Sequence, residues 1–355
     1  MEAIVQNLKT THIGSLPFSE PEKAVKMVFE YLDIPAWPQL SKRKNEGMLV
    51  QFNEGFPGFN WEKEILDISS PDFEEQMIIF YEKYLKIIEE NQLSELANFE
   101  LTEFTALGFK FFLEIASEIK PNSEIKPNMV KGQITGPFTL ASSLKLPNGE
   151  SPIFREDLKD LIVKFVLIKA LAQGLKLKEI AYNVILFLDE PGLAGFGSSS
   201  FITITKEEVL NMLNEVISGL KNFNLMIGIH ICANTSWDLP LSSEVDILSF
   251  DSFNFYEKLS IYAEELRNFL KKENKYLAWG VIPTDSTQLK ETSFEEIMKK
   301  FETQLKDLAV KLGFSEEELL KKSLFTPACG LGSLSEDLAL KALEWLKRFK
   351  QTLNL

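Results

Sequence analysis

Short apolar runs that end in a small or polar residue recur along the chain, and longer amphipathic stretches lie between them. Within those stretches, apolar residues recur at helical spacing, as in Val209, Met212, Leu213 and Val216. The short runs have the length and the bounding residues that are typical of buried strands. The pattern therefore predicts β-strands and α-helices in regular alternation.

Eight such runs predict eight strands, each of which ends in small or polar residues. The predicted strand ends are Ile13-Gly14-Ser15, Asn98-Phe99-Glu100, Gln133-Ile134-Thr135-Gly136, Phe187-Leu188-Asp189-Glu190, Ile229-His230-Ile231-Cys232, Ser249-Phe250-Asp251, Trp279-Gly280-Val281 and Phe325-Thr326-Pro327. Several intervening segments contain a Ser/Thr-x-x-Glu capping box, which predicts helix starts at Thr205, Ser293, Ser315 and Ser333.

Strands that each precede a helix predict an α/β fold, a single (β/α)8 TIM barrel that forms one domain over residues 1–355. An open doubly wound sheet is the alternative, but no predicted strand is followed by G-x-G-x-x-G or by a phosphate-binding Gly-rich loop. Residues 33–75 depart from the alternation, with short runs bounded by Pro and Gly. They predict an inserted hairpin near the barrel mouth.

The charge of the chain limits the classes of partner that it is expected to bind. Its formal net charge is -14, and its arginines are few, namely Arg43, Arg155, Arg267 and Arg348. Binding to nucleic acid rests on a basic face, so nucleic acid is not an expected partner. No apolar run is long enough to span a membrane, and the N-terminus lacks the basic patch and apolar run of a secretory signal. The expected location is the cytoplasm, without a membrane partner.

The chain contains only two cysteines and two histidines, and three of these four residues fall at predicted strand ends. His230 and Cys232 are two residues apart, so on a strand both side chains point to the same face. Closure of a barrel would bring Cys329 alongside them. One histidine and two thiolates suit a catalytic zinc ion with an exchangeable position, and Asp251 is the candidate for a fourth ligand.

A structural interpretation of the same residues stays open. Free cysteines are commonly buried as small hydrophobic residues, and a strand histidine is often a core residue with satisfied hydrogen bonds. The coincidence of three such residues at strand ends favours the metal. Zinc converts a thiol into a nucleophilic thiolate at neutral pH, so the predicted chemistry is thiol alkylation. His12, the other histidine, is expected to be a packed or mouth-lining residue.

Five motifs resemble one family: Thr11-His12-Ile13-Gly14-Ser15-Leu16-Pro17, Thr135-Gly136-Pro137, Asp189-Glu190-Pro191, His230-Ile231-Cys232 and Pro327-Ala328-Cys329-Gly330. With these motifs the chain resembles, over nearly its whole length, the C-terminal catalytic barrel of cobalamin-independent methionine synthase. That family lies in the superfamily that also contains uroporphyrinogen decarboxylase and corrinoid-linked methyltransferases. The His-x-Cys pair with the distant Cys-Gly is the most specific part of the resemblance.

The resemblance implies a role for each matching residue. It implies that His230, Cys232 and Cys329 bind Zn2+, with Asp251 at the position of a family glutamate that completes the metal shell. It implies that Ser15 and Asp189 hold the amino-acid part of homocysteine. The same resemblance makes Glu100 or Glu103 a further substrate-binding residue, and Asp189 and Glu190 are the expected catalytic residues. The sequence also allows Asp189 to be a helix N-cap.

The expected reaction is methyl transfer to a small thiol, most simply homocysteine to give methionine. The chain matches only the catalytic barrel of the two-barrel synthase and shows no cationic tract for a polyglutamate tail. A methylcorrinoid such as methylcobalamin, free or on a partner corrinoid protein, is therefore the expected donor. The alternatives are methyl transfer between a corrinoid protein and another thiol, a lyase of uroporphyrinogen decarboxylase type, and a non-enzymatic zinc site.

Overall fold

The computed structural model describes residues 9–119 and 127–355. Its strands, in chain order, are β1 Ser15–Leu16, β2 Gln39–Leu40, β3 Phe59–Asn60, β4 Ile65–Leu66, β5 Met129–Thr135, β6 Asn183–Asp189, β7 Met226–Ile231, β8 Ile247–Phe250, β9 Tyr276–Ile282 and β10 Ser323–Pro327. Strands β5 to β10 form a six-stranded sheet in sequential order, and every pair in it is parallel. All six coincide with predicted strands.

Two N-terminal segments contact the two edges of this sheet. Thr10 forms a parallel bridge with Phe325 of β10, and Ala36 forms a parallel bridge with Lys131 of β5. The two segments also pair with each other, because β1 and β2 are parallel neighbours and the N–H of Ile34 donates to the carbonyl of Thr10. Both edge strands of the curled sheet are therefore hydrogen-bonded to chain that precedes them.

The helices lie between the strands along the chain. Their bounds are α1 Pro21–Tyr31, α2 Phe73–Ile88, α3 Leu107–Ile119, α4 Pro137–Ser143, α5 Glu156–Ile180, α6 Lys206–Lys221, α7 Asp238–Ser242, α8 Ser252–Ser260, α9 Ala263–Leu270, α10 Ser286–Glu291, α11 Phe294–Leu312, α12 Glu316–Lys321 and α13 Glu336–Thr352. No helix in the described part of the chain is both long and apolar enough to cross a membrane.

Helix starts follow the predicted capping chemistry at three of four positions. Thr205, Ser293 and Ser315 each form a complete capping box with the glutamate three residues later. The prediction at Ser333 is wrong, because Ser335 is the N-cap of α13 and accepts from the N–H of Leu338. The two serines are close in sequence, and the pattern alone favours the one that has a glutamate at the third position.

The predicted strand at 98–100 is wrong. Residues Leu93–Phe99 form a 3-10 helix, and Phe99 is buried against Phe80 of α2 and Phe165 of α5. The apolar run therefore serves packing between helices. Its expected place beside β5 is held by the segment around Ala36, which the sequence assigned to the inserted hairpin. A short antiparallel hairpin, β3 with β4, does lie within residues 33–75.

Two apolar clusters form the core. The larger one packs the helices against the outer face of the sheet. The smaller one fills the inside of the curl with residues from successive strands, namely Ile13, Ile34, Met129, Ile185, Phe187, Met226, Ile247, Tyr276, Ala278 and Leu324. Above these residues the strands end in polar side chains, because Asp189 and His230 are the last inward residues of β6 and β7. This edge of the sheet holds the candidate site.

Candidate active site

His230 lies near the end of β7, between Asp189 of β6 and Ser249 of β8 in the register of the sheet. Its side chain is buried, and its Nδ1 lies 3.0 Å from the hydroxyl of Ser249. Within the described residues its Nε2 is buried without a hydrogen-bond partner. A buried imidazole fixed through one nitrogen and unpaired at the other is the arrangement that metal-binding histidines show.

Cys232 follows β7 directly, and Cys329 follows β10 after one residue. The side chains of three residues meet here, with one potential ligand atom from each within 4.8 Å of the others: His230, Cys232 and Cys329. No other such group is found among the described residues. Both cysteines are free thiols and partly accessible. Two thiolates and an imidazole are the ligands zinc prefers, and three protein ligands leave a fourth position for water or substrate. The residues present therefore fit a catalytic zinc ion.

The two thiols titrate as a pair. The pKa of Cys232 is lowered, because the thiol of Cys329 donates a hydrogen bond to its sulfur and His230 lies close. The pKa of Cys329 is raised, because its ionisation would place a second negative charge beside the Cys232 thiolate and in a buried position. Without a cation the first thiolate forms easily and the second does not. A bound divalent cation would remove that repulsion.

Asp189 ends β6 beside His230 and is almost fully buried. Its Oδ1 has no hydrogen-bond partner among the described residues. Burial raises the pKa of this carboxyl, while the buried ammonium of Lys131 and the ring of His230 act in the opposite direction. An unpaired buried carboxylate oxygen is costly unless a ligand donates to it. Asp189 therefore offers a place for a donor group such as an ammonium.

These residues share one cavity of about 430 Å³. It is lined by Ile13, Ser15, Gln39, Ser41, Glu46, Gly47, Met48, Asp189, Pro191, His230, Cys232, Cys329, Gly330, Gly332 and Ser333. None of these lining residues is a lysine or an arginine. The volume suits a small molecule, and the cavity lies at the strand ends where the active sites of parallel α/β folds are found.

Ser15 is brought to the cavity, as the sequence predicted for a substrate-binding residue. Its hydroxyl accepts from the N–H of Gly332, and its carbonyl accepts from the N–H of Leu331. A side chain at Gly330 would collide with the hydroxyl of Ser15, which explains the glycine after Cys329. The Ile13-Gly14-Ser15 turn and the loop after Cys329 thus form one wall.

Glu190 is not among the residues that line the cavity. Its carboxylate accepts from the N–H of Phe138 at 3.0 Å, and from the N–H and hydroxyl of Thr139 at 2.7 and 2.5 Å. It therefore binds the first turn of α4, and burial raises its pKa to about 7. Consecutive strand residues point to opposite sides, so Asp189 faces the cavity and Glu190 faces away from it. The structure places Glu190 at the start of α4, outside the residues that line the cavity.

Asp251 lies near the three candidate ligands but is not brought into their group. It is the N-cap of α8, and its two carboxylate oxygens each accept from Asn254, from the backbone N–H and from Nδ2, both at 2.8 Å. A carboxylate held in this way is already satisfied. The expected fourth zinc ligand is therefore engaged in a helix cap.

Glu100 and Glu103 are placed outside the cavity. The carboxylate of Glu100 pairs with Lys176 of α5 at 3.1 Å, and that of Glu103 pairs with Lys110 of α3 at 2.6 Å. Both were expected to help bind substrate at the end of a predicted strand. Since 93–99 is a 3-10 helix on the outside of the sheet, neither carboxylate reaches the strand ends.

Three residues near the site carry roles that the motifs did not show. Ser249 holds the ring of His230, and Lys131 is a fully buried lysine on β5. Glu46 lines the cavity, but its carboxylate accepts from the backbone N–H groups of Leu40 and Leu107. A polar residue inside an otherwise apolar strand is the signal that could have identified Ser249 and Lys131. His12 is fully buried, with Nε2 3.0 Å from the carbonyl of Ala36, as expected of a packed residue.

Replacement of Ser249 by alanine tests its role behind His230. Loss of the hydroxyl frees the imidazole to rotate, so we expect zinc affinity to fall about 10- to 100-fold with little change in stability. Competition with a chromogenic chelator measures the affinity. Ser252→Ala is the matched control, because that buried serine hydroxyl donates to the carbonyl of Gly280 and has no contact with His230. Equal affinities in the two variants would contradict the assignment.

Comparisons with known proteins add a weak likeness to solved structures. No family model matches the chain, and no curated protein matches it. Among solved structures, the B12-independent methionine synthase from Shewanella sp. W3-18-1, in complex with selenomethionine, is similar at 20% identity. The match covers 69% of this chain and 68% of that chain, with a TM-score of 0.43. A likeness of this size carries no argument about fold or function.

Proposed function

We propose that this protein is a zinc-dependent methyltransferase that moves a methyl group to a small thiol, homocysteine, to give methionine. One observation carries the proposal. The ligand atoms of His230, Cys232 and Cys329 gather within 4.8 Å in the same cavity as the unpaired carboxylate oxygen of Asp189. Zinc held by two thiolates and an imidazole keeps a fourth position, where it can bind a further thiol and hold it as a nucleophilic thiolate.

The residues of the cavity have distinct roles in this proposal. Zinc bound by His230 and the two cysteines would hold the acceptor as a thiolate at neutral pH. Asp189 accepts from the acceptor ammonium, and Ser15 with its turn faces the carboxylate. The acceptor sulfur forms a bond to the methyl carbon while the bond from that carbon to the donor breaks. The electron pair of the broken bond stays with the donor, and the thiol proton passes to solvent.

We further propose that the sheet is part of a closed (β/α)8 barrel in one domain. The bridges of Thr10 to β10 and of Ala36 to β5, together with the pairing of β1 with β2, support closure through the two N-terminal segments. In this arrangement those segments are the first two of the eight barrel strands, and the cavity is the mouth of the barrel.

The proposed donor is a methylcorrinoid, free or carried by a partner protein. The cavity lining contains no lysine or arginine, and the chain is strongly acidic, so a polyglutamylated folate finds no cationic contact there. The same absence of arginine from the lining gives no support to a uroporphyrinogen decarboxylase-type lyase, whose substrate carries several carboxylates. Another small thiol in place of homocysteine would use the same metal chemistry.

The proposal predicts about one zinc per chain and methionine formation in a defined assay. Purified protein is analysed for metal, then supplied with homocysteine and with either methylcobalamin or methyltetrahydrofolate. Turnover with methylcobalamin alone supports the corrinoid donor, whereas turnover with methyltetrahydrofolate alone overturns that part. Protein that binds no zinc after incubation with the metal overturns the whole proposal. If the protein binds zinc but forms no methionine with either donor, the proposed transfer from these donors to homocysteine is contradicted.

A further inference from the structure

Lys131 is buried inside the curl of the sheet, beneath the cavity. Its side chain is fully inaccessible, and its ammonium donates to the carbonyl of Ile13 at 2.6 Å and to Oε1 of Gln133 at 3.1 Å. The ammonium also lies 4.5 Å from the centre of the Phe187 ring. These contacts leave the charge paired with neutral groups only. A buried ammonium that is not in a close ion pair is costly, so the position of Lys131 calls for a physical reason.

The surroundings of Lys131 indicate what that function is. The cavity above it contains Asp189 and two thiols that can ionise, and no lysine or arginine lines it. Burial lowers the pKa of Lys131 to about 7, and the charge of Asp189 acts in the opposite direction and favours the ammonium. Charges in a buried, low-dielectric region act over longer distances than they do in water. The ammonium of Lys131 therefore supplies positive potential beneath a cavity whose lining contains Glu46 and Asp189 but no lysine or arginine.

The hydrogen bond to Ile13 connects this charge to the cavity wall. Ile13 and Ser15 both line the cavity, and they belong to one turn. Donation by Lys131 to the carbonyl of Ile13 holds that turn, and it polarises the peptide group that leads to Gly14. A carboxylate placed against the turn would meet both a fixed backbone and a positive potential.

The other fully buried lysines differ in this respect. The ammonium of Lys169 donates to the carbonyls of Glu54 and Glu100, which are outside the cavity lining. That of Lys9 donates to the carbonyls of Leu320, Lys321 and Ser323, at the end of α12. Both lysines tie loops or helix ends to the rest of the fold. Lys131 is the one placed between the turn of Ser15 and the strand of Asp189.

We infer that Lys131 is a positioning residue that makes the cavity selective for an acceptor thiol with a carboxylate, by acting through the Ile13–Ser15 turn. The inference deepens the proposed function and rests on it, because it concerns the acceptor of that reaction. It explains how a cavity without a lining cation accepts the negative end of an amino acid. Asp189 binds the ammonium of the amino acid, and Lys131 favours its carboxylate, so the two residues together select a zwitterion.

The test uses two thiols that each carry one end of homocysteine. One is 4-mercaptobutyrate, which has the carboxylate but not the ammonium, and the other is 3-mercaptopropylamine, which has the ammonium but not the carboxylate. Calorimetry on the zinc-loaded protein measures the dissociation constant of each thiol. In Lys131→Met, which keeps the length and removes the charge, the carboxylate thiol is expected to bind roughly tenfold more weakly. The ammonium thiol is expected to bind at least as tightly as to wild type.

Lys169→Met is the matched control, since it removes a buried lysine that also donates to two carbonyls but lies away from the cavity. It is expected to leave the ratio of the two dissociation constants unchanged. If Lys131→Met does not fold, Lys131→Gln provides the second test, because its amide also removes the charge and can still donate to a carbonyl. The carboxylate thiol is again expected to bind roughly tenfold more weakly, and the ammonium thiol at least as tightly as to wild type.

The outcomes separate this inference from the proposed function. Equal weakening of both thiols in Lys131→Met indicates a merely structural lysine and overturns the inference while the proposed function stands. Unchanged binding of the carboxylate thiol in Lys131→Gln does the same. Wild-type protein that binds zinc but neither homocysteine nor the two analogues overturns the proposed acceptor, and this inference falls with it.

Discussion

The Cys329→Ser protein is expected to lose zinc binding and methyl transfer together. Cys329 is one of the three proposed ligands and comes from the loop after β10, so its loss leaves only His230 and Cys232, which lie two residues apart at the end of β7. Changes behind a ligand already cost about 10- to 100-fold in affinity or activity, so loss of a ligand itself is expected to cost more than about a hundredfold in turnover. Metal analysis after dialysis and the methionine assay are the two measurements.

Asp251→Asn is the control for that experiment, because Asp251 lies beside the ligands but is engaged as the N-cap of α8. The structure predicts that this variant keeps its zinc and loses only the modest stability of a helix cap, since asparagine is itself a good N-cap. Loss of zinc from Asp251→Asn would restore it as the fourth ligand. Full turnover in Cys329→Ser would contradict the metal site altogether.

The strands of the six-stranded sheet were predictable because each is buried on both faces. Strands such as β6 and β8 are mostly apolar runs that end beside an acidic residue, which is the signature of parallel strands covered by helices. The segment around Ala36 was not recognised, since it contains two prolines and pairs through few residues. The run that ends at Phe99 gave a false strand prediction, because an apolar segment that packs between helices has the same composition as a buried strand.

The gathering of the three candidate metal ligands was predictable from spacing, and the contacts of their neighbours were not. His230 and Cys232 satisfy the two-residue period of a strand, and the scarcity of cysteine made Cys329 conspicuous. Asp189 and Glu190 carry the same charge and stand side by side, so composition could not separate a cavity residue from a helix cap. The two-residue period of a strand distinguishes them. Asp189 lies two residues after Phe187, which fills the inside of the sheet, so Asp189 points to the same inner face and Glu190 does not.

The net charge of the chain does not describe the charge around the cavity. The excess of acidic residues predicted a poor environment for anions, and the cavity lining contains no basic residue. Lys131, the buried lysine that we infer acts on the cavity, lies beneath the lining on β5 and donates to the carbonyl of Ile13 in the cavity wall. Its influence depends on burial, which lowers the local dielectric, and a sequence does not reveal which lysine is buried in this way.

Glu190→Gln is expected to destabilise the protein by an amount that depends on pH. In wild type the carboxylate accepts from two backbone N–H groups and a hydroxyl at the start of α4. A glutamine amide has only one acceptor oxygen, so its NH2 group opposes one of those donors and leaves it unsatisfied. The expected loss in the free energy of unfolding is about 1–3 kcal/mol above pH 7. Chemical denaturation of both proteins measures it.

The dependence on pH follows from the buried position of Glu190. Burial raises the pKa of this carboxyl from 4.5 to about 7 in the folded protein. A raised pKa means that the folded state binds the proton more tightly, so protonation stabilises the wild type fully below pH 4.5, and this contribution is lost as the pH rises through about 7. The shift corresponds to about 3 kcal/mol, and the gap between wild type and Glu190→Gln is expected to widen by about that amount on acidification.

Glu302→Gln is the matched control, because Glu302 is exposed on α11 and its replacement makes the same chemical change at the surface. Its gap from wild type is expected to stay within about 0.5 kcal/mol at every pH. A pH-independent gap for Glu190→Gln would contradict the assignment of a buried, protonatable helix cap. Loss of methyl transfer with unchanged stability in Glu190→Gln would instead place this carboxyl in the chemistry, as the Asp-Glu-Pro motif first indicated.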